Sequence, residues 1–345
     1  MRERFDVPLA EFTTLRLGGP AKRLVEVADT GDLIRLVREC DARREPALVL
    51  GGGSNLVVAD EGFPGTVVRV LTSGVDVDEA DSGSVTVRLS AGENWDSFVE
   101  RAVSERWVGV EALSGIPGLV GAAPMQNVGA YGQEVAQTLT QVRAYDRRAG
   151  EICVFSRQEC GFGYRTSRFK QNPDRYVVLD VTFQLRRGEL GAPVAYAELA
   201  RTLDVALGEQ APLADVRAAV LKLRRGKGML LDPADRDTWS VGSFFTNPVV
   251  PPEVADRLPP EAPRWPAENG LVKTSAAWLI EHAGFAKGHG NGVVRLSTKH
   301  TLALTNRGGA ATADLLALAR EVRDGVRKEF GIELVNEPVL VGCTL

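Results

Sequence analysis

Apolar and polar positions in the first fifty residues follow two rhythms. KRLVEV (22–27) reads as a strand. Leu33, Ile34 and Val37 then recur at helical spacing behind Thr30, the expected helix cap, and ALVL (47–50) is a second strand. This small β-α-β unit runs straight into GGGSN. Further strands are expected at TVVRVL (66–71) and SVTVRLS (84–90), with a helix from Trp95 to about Arg106 on Phe98, Val99 and Ala102. TQVRAYD and EICVFS, joined by RRAG, predict a hairpin, and DRYVVLDVTFQLRR a long strand ending near 187.

Residues 188–212 are polar and weakly periodic. The spacing of Val216, Val220 and Leu223 predicts a helix over 214–225, and the Pro-rich stretch 248–266 a loop or insertion. A helix over 275–283 should stop at Gly284. The most regular helix is 313–330, with Thr312 as N-cap, Leu315, Leu318, Val322 and Val326 as its stripe and Gly331 as its stop. A last strand is expected in IELVNEPVLVG. No internal repeat or low-complexity tract interrupts the pattern. The fold class is α+β, with a strand-rich, glycine-punctuated first half.

At 345 residues the chain is long enough for two or three domains, and 44% hydrophobic with 25% charged residues is an ordinary globular composition. A net charge of -4 argues against a nucleic-acid or anionic-membrane partner that needs a basic face. The opening MRERFDVPLAEFTTLRLGG has no apolar run of a signal peptide, and the weakly polar 107–130 holds Glu111, two prolines and many glycines, so no membrane span is expected. Cys40, Cys153, Cys160 and Cys343 form no CxxC, which disfavours a structural metal and suits a reducing cytoplasm.

Five stretches could carry chemistry. LVLGGGSNLVV (48–58) frees its backbone to turn tightly and to point N–H groups at an anion, yet it lacks a GK[ST] and a GxGxxG, and by itself reads as a hairpin-like turn. SGIPGLVGAAPMQNVGAYG (114–132) interleaves glycines with Ile116, Leu119, Val120, Met125 and Val128. That pattern suits a loop pinned to a core while its backbone runs against something flat or phosphorylated. Two such loops suggest an elongated ligand with a diphosphate. In CGFGYRTSRF (160–169) Arg165 could grip a carboxylate or simply be solvated. Glu337 in VNEPVLV is a strand-edge carboxylate or a buried one with a perturbed pKa.

The fifth is VGSFFTNP (241–248). No GxSxG elbow surrounds Ser243, and the three histidines, His282, His289 and His300, lie outside its sequence neighbourhood. A donor role fits better than a nucleophile role, with a structural turn serine as an equal alternative.

Taken in order, FTTLRLGGPA, GGGSN, GIPGLVGAAPMQNVGAYG, GYRTSRF, GSFFTNP, AAWLIEHAG and NEPVLVG resemble the MurB-type UDP-N-acetylenolpyruvoylglucosamine reductases over nearly the whole chain. PVAYAEL (193–199) looks like the tyrosine loop of the type I branch. The resemblance implies an FAD-binding region of the vanillyl-alcohol-oxidase (PCMH) type in two subdomains, 1–72 and 73–225. A C-terminal α+β substrate-binding domain follows at 226–345, its last strand returning to the active site. It implies FAD and NADPH as cofactors, UDP-N-acetylglucosamine enolpyruvate as substrate, and a cytoplasmic, monomeric enzyme of peptidoglycan synthesis. Gly51, Gly52, Gly53, Ser54 and Asn55, with Ser114, Gly115, Ile116, Gly118, Gly121, Ala122, Asn127 and Gly129, would line the flavin and its diphosphate. Arg165 and Glu337 would stabilise an enolate-like intermediate, and Ser243 would protonate it. Tyr196, Lys227, Asn247 and Lys287 would hold the sugar nucleotide, largely its diphosphate, Tyr164 would shape the nicotinamide or enolpyruvyl pocket, and Trp265 would bind substrate by stacking.

Two positions depart from the family's habit. Thr246 stands where lysine is common, and Trp265 where tyrosine is common. Lys227, in RRGKGMLLDP, sits in a less standard stretch. Three rival readings remain: an FAD-dependent oxidase of the same fold acting on another alcohol or sugar, a serine hydrolase, and a non-catalytic sugar-nucleotide binder.

Overall fold

The computed structural model describes residues 1–79 and 83–345. The chain forms two compact units, each assembled from separate segments. The first comprises Met1–Val7, Ala21–Gly52 and Pro64–Gly226; the second comprises Pro8–Pro20, Gly53–Phe63 and Lys227–Leu345.

Among the described residues, the first unit carries two larger sheets and a two-stranded pair, Gly129–Ala130 with Gln133–Glu134. Strands Arg2–Pro8, Pro20–Val27, Phe63–Val70 and Ala47–Leu50 lie side by side in that order, the last two parallel, and helix Thr30–Ala42 connects the second of them to the fourth. The second sheet is antiparallel and carries the expected hairpin: Leu139–Asp146 pairs with Glu151–Ser156 on one side and with Tyr176–Arg187 on the other. Tyr176–Arg187 continues the sheet to Ser84–Ser90. Inward-facing alternate residues of these strands, among them Val85, Val87, Leu89, Val142, Val181 and Phe183, are fully or nearly fully buried. Trp95 and Phe98 of helix Trp95–Ser104 pack edge-on or tilted against Phe183, with ring centroids 5.2–5.9 Å apart.

The second unit packs helices Ala276–His282 and Thr312–Phe330 with Phe244 and Phe245, whose rings meet in a T at 5.1 Å. The stripe Leu315, Leu318, Val322 and Val326 is buried, as its 3.6-residue spacing requires. Strand Val339–Val341 pairs in parallel with Leu56–Val58.

Several local expectations change. Asp29, not Thr30, caps the first helix, its side chain accepting from the Asp32 N–H. Thr312 is the first residue of its helix rather than the cap. The carboxylate of Asp60 accepts the Thr312 and Ala313 N–H groups, while the Thr312 hydroxyl donates to the Val58 carbonyl. A distant residue therefore does the work of a local cap. The weakly periodic 188–212 holds a short helix, Ala197–Leu203. The Pro-rich stretch contributes Val249–Val250 and Arg264–Pro266 to a three-stranded sheet on either side of Val272–Thr274. The C-terminal strand is regular only at Val339–Val341.

Among the described residues, no helix is long and apolar enough to cross a membrane, and no group of three or more His, Cys, Asp or Glu could hold a metal ion.

Two predictions follow from the packing of the second unit. A Cβ on Gly325 would lie 2.3 Å from the Phe285 ring. Alanine in a helix interior should gain up to about 1 kcal/mol over glycine, but overpacking costs about 1–3 kcal/mol. Gly325→Ala should therefore lower the urea midpoint, and Phe285→Leu in the same chain should recover part of it; a raised midpoint would contradict the packing. Burial opposes ionisation of Asp237, but hydrogen bonds from Thr298 and Ser297 and the Arg307 charge outweigh it and hold the carboxyl below its ordinary range. A group depressed in this way stabilises the fold above its unfolded pKa of about 3.9, and the contribution fades as pH falls through the folded value. Asp237→Asn should lower the melting temperature at pH 7, and the gap from wild type should narrow as pH falls below the unfolded pKa of about 3.9.

Candidate active site

Backbone, rather than side chains, brings distant motifs together in the second unit. The Glu337 N–H donates to the Phe244 carbonyl at 2.8 Å and the Thr246 N–H to the Val335 carbonyl at 3.0 Å, with Phe245 and Asn336 as bridge partners. VGSFFTNP and VNEPVLV thus run antiparallel, and Ser243 lies one residue from the partner of Glu337. Asn55, at the end of GGGSN, joins them: its carbonyl accepts from the Val339 N–H at 3.0 Å and its side chain donates to the Glu337 carbonyl at 3.4 Å. Both Ser243 and Glu337 are half-buried. Gly242 holds φ at +75°, giving the turn that precedes the serine, and the Phe244 N–H is fixed by the Leu302 carbonyl at 2.7 Å. His282 stacks on Trp278 and bonds its carbonyl, and His289 pairs with Glu321, so both rings are engaged away from the serine.

In the same unit, Gly53 must be glycine. It holds φ at +59°, and a Cβ there would sit 1.9 Å from the Phe12 carbonyl oxygen. Asn247 accepts from the Ala276 N–H at 3.0 Å and so anchors the start of a helix. Trp265 is exposed, with the Lys273 ammonium 6.0 Å from its ring centre. Lys227 is half-buried just after helix Leu213–Gly226, Lys287 is exposed in the turn after Ala276–His282, and Ser54 is half-buried beside Gly53.

The first unit holds the other expected residues. Gly163 and Thr166 exchange two backbone hydrogen bonds, at 3.2 and 3.3 Å, so Tyr164 and Arg165 form the tip of a two-residue turn. Arg165 occupies the left-handed region with φ +52°, a conformation costing a bulky residue about 1 kcal/mol or more. Its guanidinium donates to the Gly129 carbonyl at 2.7 Å and lies 5.5 Å from the Tyr164 ring centre. A Cβ on Gly129 would come within 3.2 Å of that guanidinium and 2.8 Å of Glu134, so glycine there lets the arginine pass. Two residues on, Tyr131 meets Tyr196 edge to face at 5.5 Å. Burial pushes the Tyr131 phenol up to about 12, keeping it a neutral donor. Tyr131 stood within the glycine-rich stretch without a role of its own; the GAYG spelling was the only sequence clue.

The two glycine loops touch. A Cβ on Gly52 would lie 2.8 Å from the Gly118 Cα, and one on Gly51 would meet the Leu119 side chain. The second loop is pinned as its apolar anchors suggested: Val120 is fully buried, and Ile116, Met125 and Val128 pack on the core. The Ser114 hydroxyl donates to the Glu111 carbonyl, the Gly121 N–H to Ala91 and the Ala122 N–H to Leu119. The Asn127 side chain donates to Glu134 and to the Gly163 carbonyl and accepts from the Ala136 N–H, so it ties this loop to the turn that carries Arg165. Glycine in both loops lets their backbones approach this closely, which fits loops that run against a planar ring system bearing a diphosphate. Asp96, Arg217 and Arg224 also bear on the loop, and no motif marked them. Burial raises the Asp96 carboxyl, but Arg217 and the Gly115 N–H together hold it below its ordinary range.

Known proteins resemble this chain in sequence and fold over nearly its whole length. A family model for an FAD binding domain matches residues 21–156, and one for the C-terminal domain of UDP-N-acetylenolpyruvoylglucosamine reductase matches residues 232–341. The reductase of that name from Thermobifida fusca is 62% identical, over 99% of this chain and 98% of its own. The one from Cutibacterium acnes is 55% identical over 99% and 90%. The crystal structure of UDP-N-acetylenolpyruvylglucosamine reductase from Thermus caldophilus superposes with a TM-score of 0.67 at 27% identity, covering 99% of this chain and 98% of that one.

Gly52→Ala should separate the two loops by a few tenths of an ångström. The expected result is at least about a tenfold rise in the FAD dissociation constant with little change in melting temperature, since about 1.4 kcal/mol of lost binding corresponds to tenfold. Unchanged affinity, measured by flavin fluorescence on dilution, would show that the loop contact does not shape the flavin site.

On whole-length identity above half, matched by both domain models and by the superposed fold, the chain belongs to the UDP-N-acetylenolpyruvoylglucosamine reductase family.

Proposed function

We propose that the chain catalyses the NADPH-dependent reduction of the enolpyruvyl ether of UDP-N-acetylglucosamine enolpyruvate to UDP-N-acetylmuramate, a step in making peptidoglycan precursor. The observation that carries the reading is the backbone ladder joining Ser243, Glu337 and Asn55, which ties a proton donor and a carboxyl to the end of a flavin-type glycine loop.

No protein side chain can carry a hydride, so bound FAD would supply the hydride chemistry between NADPH and the vinyl carbon of the substrate. Gly51, Gly52, Gly53, Ser54 and Asn55, with Ser114, Gly115, Ile116, Gly118, Gly121, Ala122 and Gly129, would hold that cofactor through close backbone approach, and Asn127 would brace the second loop. The domain assignment that goes with this reading is flavin-binding subdomains over 1–72 and 73–225 and a substrate domain over 226–345.

Hydride addition leaves electron density on the substrate's pyruvyl carboxylate. Arg165 offsets that charge with its planar fork, and Glu337 stabilises the same enolate-like species as a neutral acid or through a water. Ser243 then gives its hydroxyl proton to the carbon bearing the ether oxygen. Its half-buried position between a left-handed glycine and two buried phenylalanines limits competition from solvent. Tyr164, Tyr196, Lys227, Asn247, Trp265 and Lys287 hold the nicotinamide or the sugar nucleotide, the two lysines neutralising diphosphate charge. A monomer in the cytoplasm completes the reading.

Ser243→Ala separates the half-reactions. Under anaerobic stopped flow, bleaching of the flavin by NADPH should keep its wild-type rate. Recovery of colour with the enolpyruvyl substrate should slow by about 10²–10⁴, the usual share of a general acid. Equal rates in both halves would remove the serine from the mechanism. Bleaching without recovery in the wild type would point instead to another substrate.

A further inference from the structure

The loop Leu113–Gly121 is fastened along its length by residues 91–96 running in the opposite direction. The Gly121 N–H donates to Ala91 at 2.9 Å, the Val120 N–H to Glu93 at 2.9 Å, and the Trp95 N–H to Gly118 at 3.1 Å, all to carbonyls. The Trp95 indole N–H reaches the Leu113 carbonyl at 3.1 Å. One rung differs because it is ionic. The Gly115 N–H donates to Asp96 Oδ1 at 2.6 Å, and Arg217 engages both oxygens of that carboxylate, at 2.7 and 3.0 Å. The carbonyl of the same glycine accepts from Arg224 Nε at 3.2 Å.

Gly115 holds φ at +71°, a conformation open to glycine because it has no Cβ, and its peptides could otherwise rotate freely. Here they cannot. The N–H is held by an acid from helix Trp95–Ser104, and the carbonyl by a base from helix Leu213–Gly226. Arg217 itself is largely buried, with 12% of its side chain exposed. A buried ion pair is a weak route to stability, since desolvation cancels much of the attraction. Its directional, bidentate geometry instead fixes orientation.

We propose that Asp96 and Arg217 are positioning residues for the flavin, setting the two peptides around Gly115 so that the Leu113–Gly121 loop presents one fixed face to FAD, with Arg224 as the opposing grip. This rests on reading that loop as flavin-lining.

The test compares Asp96→Asn, Asp96→Glu and Arg217→Met with Asp180→Asn, which breaks the Arg143–Asp180 ion pair of the antiparallel sheet instead. Flavin release on dilution of the holoenzyme gives the FAD dissociation constant, visible circular dichroism reports the flavin's surroundings, and melting temperature reports the fold. The three loop variants should weaken FAD binding at least tenfold and alter the flavin dichroism, while Asp180→Asn lowers the melting temperature and leaves both flavin readouts unchanged. Asp96→Glu keeps the charge but shifts the carboxylate by one methylene, so it should fold even where the other two do not. Wild-type affinity and dichroism in Asp96→Glu, or in any loop variant that folds, would overturn the positioning role. Equal flavin losses in Asp180→Asn would reduce it to general stability. A wild-type protein that takes up no FAD would overturn the flavin reading itself.

Discussion

The ladder between Phe244–Thr246 and Val335–Glu337 is the constraint on which the second half of the proposed chemistry depends. A hydroxyl and a carboxyl from opposite ends of a domain cannot be held in register by their own side chains, which would each have several rotamers to choose from. Backbone hydrogen bonds fix the register from which the two side chains start, leaving only their own rotamers to be set. Asn55 extends the same logic. By taking the Val339 N–H and reaching the Glu337 carbonyl, it makes the end of the first glycine loop part of the strand pair that carries the carboxyl.

The first unit meets the same demand in a different way, by close approach and strain. At Gly52 a single methyl would collide with Gly118, and at Gly129 one would collide with Glu134 and crowd the Arg165 guanidinium. Arg165 sits in a left-handed turn that a long side chain adopts at a cost. That cost is sustained because the turn is over-determined: Gly163 and Thr166 close it, Asn127 ties it to the glycine loop, and the guanidinium is already bonded to Gly129. An arginine held so tightly loses little entropy when it meets an anion, which favours a fork aimed in advance over a flexible surface cation.

Periodicity made most of the elements legible. The hairpin at RRAG, the strand ending at Arg187 and the stripe of the helix Thr312–Phe330 all stand where spacing put them. What spacing could not show is any interaction closed through space. Asp60 caps a helix far along the chain, so the local search for a cap settled on Thr312 instead. The Pro-rich stretch looked like a loop because its strands are only two and three residues long and pair with a third segment beyond it. At the site, residues carrying a family motif were visible, whereas Asp96, Arg217 and Arg224 were not. Each is an ordinary charged residue on an amphipathic helix until the fold turns it onto Gly115.

Charge is the remaining point at which sequence and site pull in different directions. A protein of net charge -4 is proposed to hold a ligand with a diphosphate and a carboxylate. Screening resolves the conflict, because at physiological ionic strength fields decay over about 8 Å, so distant surface acids count for little against cations in contact. What matters is therefore the placement of a few bases, and the departure at Thr246 bears directly on it. Its N–H and hydroxyl both turn to the Val335 carbonyl, so threonine strengthens the strand pair that carries Glu337 where a lysine would add charge. The substitution exchanges long-range attraction for local rigidity. In the proposed function Lys227 and Lys287 still neutralise the polyanion, while the strand pair that carries Glu337 gains a side-chain hydrogen bond from the Thr246 hydroxyl at 3.4 Å.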